Sequence, residues 1–139
     1  GNEYPFNGEK LSPVSSLIKC KDFEDGVQKM EKVLNYQGLG HSAGIHTNIA
    51  ERIHALGERI KTVRLCVNQP QSLANSGAWT NSMPMTFTVG CGTWGHNTIS
   101  KNVNWKDFLN FTYVYKPIPS TQPTDEELFD EKIRNAFKK

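Results

Sequence analysis

The sequence predicts an α/β fold with a mostly parallel sheet and flanking helices. Two observations support this class. Segments rich in β-branched and aliphatic residues alternate with segments whose apolar residues recur at helical spacing, and their order is strand–helix–strand–helix–strand. Connections of helical length between strands favour parallel pairing with right-handed crossovers. A chain of 139 residues is long enough to bury one hydrophobic core.

Composition narrows the possible partners. The formal net charge is +2 and the basic residues are scattered, whereas a nucleic-acid partner requires clustered positive charge. The sequence has no run of about 18 apolar residues and no apolar leader, so we expect neither a membrane partner nor secretion. Cys20, Cys66 and Cys91 are far apart and form no C-x-x-C pair. We therefore predict a reducing, cytoplasmic location and no metal site.

The first half of the chain begins with a predicted strand over residues 14–20. Asp22 is a favourable N-cap, and apolar residues recur at helical spacing over residues 23–35, so we predict an amphipathic helix there. Gly38 and Gly40 end this helix.

A second strand, a second helix and a third strand follow. The second strand is predicted over residues 42–47. Asn48 with Glu51 three residues later predicts a capping box at the start of the next helix. Residues 62–68 alternate apolar and polar side chains, which predicts the third strand.

The second half of the chain has shorter elements. Residues 69–84 are rich in Gln, Ser, Asn, Gly and Pro and predict a long loop, of a length that is usually functional or mobile. Residues 85–89 predict a strand, and residues 105–110 predict a helical turn.

The tail is predicted to be extended and then helical. Residues 111–115 predict a strand, and the prolines after it favour an extended chain. Thr124 predicts the cap of a final helix over residues 125–139, with acids first and bases last. We therefore divide the chain into a domain of residues 1–115 and a tail of residues 116–139.

The segment Gly90–Gly95 matches the G-x-G-x-x-G pattern. A dinucleotide-binding turn also needs an apolar helix after it and an acid about 20 residues on, whereas residues 96–104 are polar and no acid lies at that distance. A nucleophile loop would need a base for Cys91, and His96 is five residues away. From the residues alone, a dinucleotide turn, a nucleophile loop and an ordinary turn between strands all remain open.

Several segments carry a family resemblance, and they are 9-EKLSP-13, 21-KDFEDGVQKMEKVL-34, 38-GLGHSAGIHT-47, 58-ERIKTVRLCVNQP-70 and 88-TVGCGTWGHNTISKN-102. Together they resemble the C-terminal part of the catalytic domain of CoA-acylating aldehyde dehydrogenases, and they occur in the family's order. The specific combination is Gly40-His41-Ser42 with the glycine segment Gly90–Gly95.

This resemblance implies a partial aldehyde-dehydrogenase catalytic domain with an extended tail strand and a terminal helix. The parent enzyme would convert an aldehyde, coenzyme A and NAD or NADP to an acyl-CoA and the reduced cofactor. In the family, the nucleophilic cysteine and the Rossmann-like domain lie upstream, so we expect this chain alone to be inactive. The first residue, Gly1, also favours a piece of a longer protein.

The resemblance also implies roles for individual residues. Glu9 matches a carboxylate that contacts the cofactor ribose, and Leu11 matches an apolar residue beside it. His41 matches a histidine of the acylating branch, which would take the CoA thiol proton. The aldehyde pocket would be walled by four residues of the glycine segment: Cys91, Gly92, Thr93 and Trp94.

Other expectations concern partners and alternatives. The tail strand over residues 111–115 would pair with another subunit, so we expect a homo-oligomer with a small aldehyde as substrate. Arg64 and Lys101 are interpreted as surface charges. The residues fix neither the aldehyde nor the choice of NAD or NADP. Two alternatives are a non-catalytic assembly domain and a small thiol enzyme that uses Cys91.

Overall fold

The computed structural model describes residues 3–137. The chain forms two compact units, Gly1–Leu109 and Asn110–Lys139. The helices and strands of the first unit are α1 (Phe23–Tyr36), β1 (Ala43–Ile45), α2 (Ala50–Arg59), β2 (Leu65–Val67) and α3 (Gln71–Ala74). Short 3-10 turns lie at Pro5–Asn7, Thr93–Gly95 and Trp105–Phe108. None of the described helices is long and apolar enough to cross a membrane.

Helix α1 begins where the sequence predicts. The side chain of Asp22 accepts a hydrogen bond from the backbone nitrogen of Asp25 at 2.8 Å, which satisfies one free donor of the first turn. Val27 and Leu34 lie on the buried face of the helix. The chain leaves the helix after Tyr36 and turns at Gly38, whose φ of 107° favours glycine.

Strands β1 and β2 pair in parallel, which confirms the predicted α/β class. Ala43 pairs with Leu65 and Ile45 with Val67, and an isolated bridge joins Gly40 to Thr62 ahead of them. Helix α2 connects the two strands, so the β1–α2–β2 segment is the crossover unit that the sequence indicates. Both strands are shorter than predicted.

The predicted capping box of α2 is wrong. The helix begins at Ala50, with Ile49 rather than Asn48 in the cap position and no side-chain cap. Asn68 explains the shift, because its side chain accepts from the Thr47 backbone nitrogen at 2.9 Å and donates to the Thr47 carbonyl at 3.0 Å. These two bonds keep the chain beyond β1 extended for longer than the capping pattern suggests.

The core of the first unit lies between the helices and the short sheet. Its buried apolar residues are Val27, Leu34, Ala43, Leu56 and Ile60. Because α1 and α2 contribute most of these side chains, the two helices determine where β1 and β2 lie and hence where the loops after them begin.

Three predicted strands do not form. Residues 14–20 are exposed and unpaired among the described residues, and residues 85–89 contribute only a bridge between Val89 and Asn102. Residues 111–115 are likewise extended without a strand partner in the described part of the chain. Strand propensity alone does not make a strand, since the backbone needs a neighbour for its hydrogen bonds. The helical turn predicted over residues 105–110 is confirmed, at Trp105–Phe108.

The second unit contains two short helices instead of the single predicted one. These are α4 (Asp125–Leu128) and α5 (Glu131–Phe137), and the last two residues of the predicted helix lie outside the described residues. Phe129 is extended, and Asp130 starts the second helix by accepting from the Ile133 backbone nitrogen at 2.9 Å. The Glu127 carboxylate accepts from the Thr124 backbone nitrogen at 2.8 Å, so the helix start at Thr124 agrees with the sequence.

Leu56 provides a test of this core. Its side chain is 2% exposed, so Leu56→Ala removes buried apolar contacts and leaves a cavity. We expect a loss of about 2–5 kcal/mol in the free energy of unfolding, measured by urea denaturation. Leu73→Ala is the matched control because Leu73 is 73% exposed, and it should change the free energy little. Equal losses in the two variants would contradict the core described above.

Candidate functional site

The Gly90–Gly95 segment, called the glycine loop below, folds back on the chain that follows it. The backbone nitrogen of Gly90 donates to the Lys101 carbonyl and that of Gly92 to the Ile99 carbonyl, each at 2.9 Å. The Asn97 side chain accepts from the Cys91 backbone nitrogen at 2.9 Å. The glycine loop contains a three-residue helical turn at Thr93–Gly95, and residues 96–104 form no helix. The glycine loop therefore lacks the helix that a dinucleotide-binding turn must open.

The glycine loop packs against the turn before β1. A Cβ atom at Gly40 would collide with the carbonyl oxygen of Cys91 and lie 2.9 Å from the Gly95 nitrogen. A Cβ atom at Gly95 would in turn lie 3.1 Å from the Leu39 carbonyl oxygen. The two glycines thus let two backbones meet without side chains between them. This contact brings His41, the residue after Gly40, next to the glycine loop.

His41 is held by its neighbour in the chain. Its Nδ1 lies 2.8 Å from the Ser42 hydroxyl oxygen, which also accepts a hydrogen bond from the Gln71 side-chain amide of α3. Much of His41 is exposed, yet partial burial lowers the pKa of its imidazole. The positive charge of Arg64 lowers that pKa further, while the carboxylate of Glu9 acts to raise it.

Glu9 and His41 line one surface depression. Its volume is about 340 Å³, and α1, the turn after it and α3 supply most of the other lining residues. Glu9 is fixed there by its backbone, which donates to the Gln37 side chain at 2.9 Å. Two residues far apart in sequence thus line the same depression.

The remaining predicted site residues lie in different surroundings. Leu11 is 90% exposed, has a positive φ of 44° and does not line this depression. Thr93 and Trp94 are exposed, with Trp94 at 45%. Gly92 is buried, and a Cβ atom there would come within 3.0 Å of the Ser100 side chain. Cys91 is half-buried, with its Sγ 3.8 Å from the Val89 carbonyl oxygen.

Arg64 is not a surface charge, which corrects the interpretation from the sequence. It is 4% exposed, and its Nη1 donates to the Gly90 carbonyl at 2.8 Å and to the Asn102 side chain at 3.3 Å. Its Nη2 lies 3.9 Å from the Cys91 Sγ. Among the described residues no carboxylate lies within ion-pair distance of Arg64. Lys101, in contrast, is partly exposed and pairs with Asp107.

Asn102 extends this buried polar group. It is 3% exposed, and its side-chain amide donates to the carbonyl oxygens of Asn75 at 3.1 Å and Pro84 at 3.0 Å. Arg64 thereby joins the glycine loop to the segment just before β2, and Asn102 joins it to the segment after α3. One signal for this cluster was present in the sequence: in the strand predicted over residues 62–68, Arg64 falls on the same face as Cys66.

Cys66 and Cys20 take no part in the site. Cys66 is 2% exposed, and burial raises the pKa of its thiol while the nearby Arg64 charge acts to lower it. Cys20 is exposed beside α1. In residues 3–137 no group of three or more His, Cys, Asp and Glu side chains is arranged to hold a metal ion.

The contact at Gly40 gives a testable prediction. We expect Gly40→Ala to lower the free energy of unfolding by more than about 1 kcal/mol, because the new methyl group meets backbone and φ is 82°. Cys91 should also be alkylated faster as the glycine loop separates from Gly40. The control is Gly57→Ala in α2, where the nearest atom is 3.8 Å away, and it should raise the free energy by about 0.5–1 kcal/mol. A neutral Gly40→Ala would refute the close contact.

The pKa of His41 can be measured by NMR titration of its ring protons. We expect it below the value near 6.5 of an unperturbed histidine, and lower still in Glu9→Gln, which removes the carboxylate that raises it. Because the folded-state pKa is lowered, the unfolded chain binds more protons between the two values. The contribution of His41 therefore makes stability rise with pH across that window. A pKa for His41 above that of an unfolded control peptide would contradict this arrangement.

Comparison with known proteins gives the family. No family model matches the chain. The chain is 44% identical over 131 residues to a protein named sulfoacetaldehyde dehydrogenase from Acholeplasma sp, covering 94% of this chain and 27% of that protein. It is also 44% identical over 126 residues to the sulfoacetaldehyde dehydrogenase (acylating) of Bilophila wadsworthia (strain 3_1_6), covering 91% of this chain and 27% of that protein.

The fold comparison agrees with the sequence comparison. The crystal structure of an acetylating aldehyde dehydrogenase from Geobacillus thermoglucosidasius superposes with a TM-score of 0.76 at 32% identity, over 87% of this chain and 27% of that one. The chain thus spans about a quarter of the length of the relatives that it matches. By sequence and by fold, this chain belongs to the acylating aldehyde dehydrogenases and corresponds to one part of such a protein.

Proposed function

We propose that this chain forms part of the active site of an enzyme that converts an aldehyde, coenzyme A and NAD or NADP to an acyl-CoA and the reduced cofactor. The observation that carries this proposal is the depression shared by Glu9 and His41. The Glu9 carboxylate can accept hydrogen bonds from ribose hydroxyls, and the His41 imidazole can accept a proton from a thiol. The homologues of the chain are acylating aldehyde dehydrogenases.

Glu9 is our candidate for the cofactor ribose. Its carboxylate is exposed at the depression and accepts no hydrogen bond from another described residue, so both oxygens are available to ribose hydroxyls. The donor and acceptor chemistry therefore fits the group, with Leu11 as the exposed apolar neighbour. A nicotinamide cofactor bound there would supply the acceptor for the hydride of the aldehyde.

His41 is our candidate base for coenzyme A. Burial and the Arg64 charge lower the pKa of its imidazole, so the neutral form, which can accept a proton, predominates at neutral pH. In the tautomer whose Nδ1–H donates to the Ser42 hydroxyl oxygen, Nε2 carries the lone pair that can take the proton of the thiol. The resulting thiolate would then take the acyl group from a cysteine outside this chain.

Trp94 and Thr93 are the exposed residues of the glycine loop and our candidates for contact with the aldehyde. Two relatives carry sulfoacetaldehyde in their names, which makes this anionic aldehyde the first substrate to test. Exposed, unpaired residues 111–115 support pairing with a second copy of the chain, which would give a homo-oligomer. A cytoplasmic location stays a prediction and is consistent with the three free cysteines.

A chimera tests the proposal. The aligned 131-residue segment of the Acholeplasma sulfoacetaldehyde dehydrogenase would be replaced with this chain, and reduction of NAD or NADP would be followed at 340 nm. The aldehydes would be sulfoacetaldehyde, acetaldehyde and succinate semialdehyde, each with and without coenzyme A. We expect CoA-dependent turnover by the chimera and none by the 139-residue chain alone.

Matched variants separate the roles. In the chimera, His41→Gln should lower CoA-dependent turnover by about 10²–10⁴-fold, as removal of a general base does, whereas His46→Gln at an exposed position just after β1 should not. Equal activities of these two variants would remove His41 from the mechanism. Turnover by the isolated chain that Cys91→Ala abolishes would favour the thiol-enzyme alternative and overturn the proposal.

A further inference from the structure

We propose that Arg64 is a positioning residue for His41, which it serves by holding the glycine loop against Gly40, so that the guanidinium charge acts on the imidazole from a fixed place. This inference rests on the proposed function only for the role of His41 as a base. The contacts of Arg64 and the pKa of His41 can be measured without enzymatic turnover.

The first argument is the burial of an unpaired charge. Arg64 is 4% exposed, has no carboxylate partner among the described residues, and its Nε lacks any hydrogen-bond partner there. A buried guanidinium without a counter-ion is costly, and a neutral or apolar residue would serve packing better. An arginine at this position therefore needs a reason other than stability.

The second argument is what the guanidinium holds. Its Nη1 bonds to the Gly90 carbonyl at 2.8 Å, and its Nη2 faces the Cys91 Sγ at 3.9 Å. The next group along the chain, the Cys91 carbonyl, is the one that excludes a side chain at Gly40. Since His41 follows Gly40, the guanidinium bonds to the same loop that packs against the turn carrying His41. Displacing Arg64 would release the loop that limits where the His41 turn can go.

The third argument is the set of charges that act on His41. Arg64 comes from the strand β2 edge and lowers the pKa of His41, after the larger effect of burial. Glu9, from the N-terminal segment, acts to raise it. The glycine loop carries a single titratable side chain, the Cys91 thiol. Arg64 and Glu9 therefore act on the pKa of His41 in opposite directions.

The experiment is an NMR titration of His41 in the 139-residue chain, combined with the rate of Cys91 alkylation. In Arg64→Gln we expect a higher pKa for His41 than in the wild type, because a positive charge that disfavours protonation is lost. Cys91 should be alkylated several-fold faster because the loop is released. Arg64→Lys keeps the charge, so the pKa of His41 should return toward the wild-type value while the alkylation rate stays high.

The comparison of the two variants separates positioning from simple stability. An unchanged pKa of His41 in a folded Arg64→Gln protein, or equal pKa values in the Gln and Lys variants, would overturn the proposal. If both variants unfold, the wild type still decides. An Arg64 held as described gives separate, slowly exchanging guanidinium proton resonances, whereas one averaged resonance would refute the contact with Gly90. An inactive chimera with these results intact would reject the proposed function but not this inference.

Discussion

The meeting of two glycine turns is the contact on which the site depends. Gly40 lies in the connection between α1 and β1, and the glycine loop, about 50 residues later in the sequence, packs against it. Neither turn can carry a Cβ atom at the point of contact. The contact therefore requires glycine at both positions and does not depend on any side-chain interaction. The position of the glycine loop relative to the His41 turn depends on this contact.

The short parallel sheet explains why the contact falls where it does. In a β1–α2–β2 unit both strands run the same way, so the segment before β1 and the segment before β2 lie at the same end of the sheet. Gly40 and Arg64 belong to those two segments. The glycine loop packs against Gly40 and accepts a hydrogen bond from Arg64, and the buried amide of Asn102 joins it to the chain after α3.

Local signals in the sequence were sufficient for the helices and insufficient for the site. Helix α1 follows from its cap at Asp22 and its apolar spacing, because both act within a few residues. The cap of α2 shifted since Asn68, which is distant in sequence, competes for the chain near Asn48. Arg64 was misjudged for the same reason: its burial depends on the glycine loop and Asn102, and no local pattern contains them. The family resemblance named Glu9 and His41 separately, and only the structure shows that they line one depression, because no spacing in the sequence relates them.

The buried bonds of Arg64 also bear on how the unit folds. They join residues 26 and 38 positions apart, whereas the pairing of β1 with β2 needs only the intervening helix to form. Helix α2 spans most of the connection between β1 and β2, whereas the chain between Arg64 and the glycine loop is irregular apart from β2 and the short α3, so fewer local bonds offset the entropy lost on closing it. We therefore expect the sheet and its helices to form first and the glycine loop to close last. A chain arrested at that stage would have a nearly native circular dichroism spectrum and no organised site around His41.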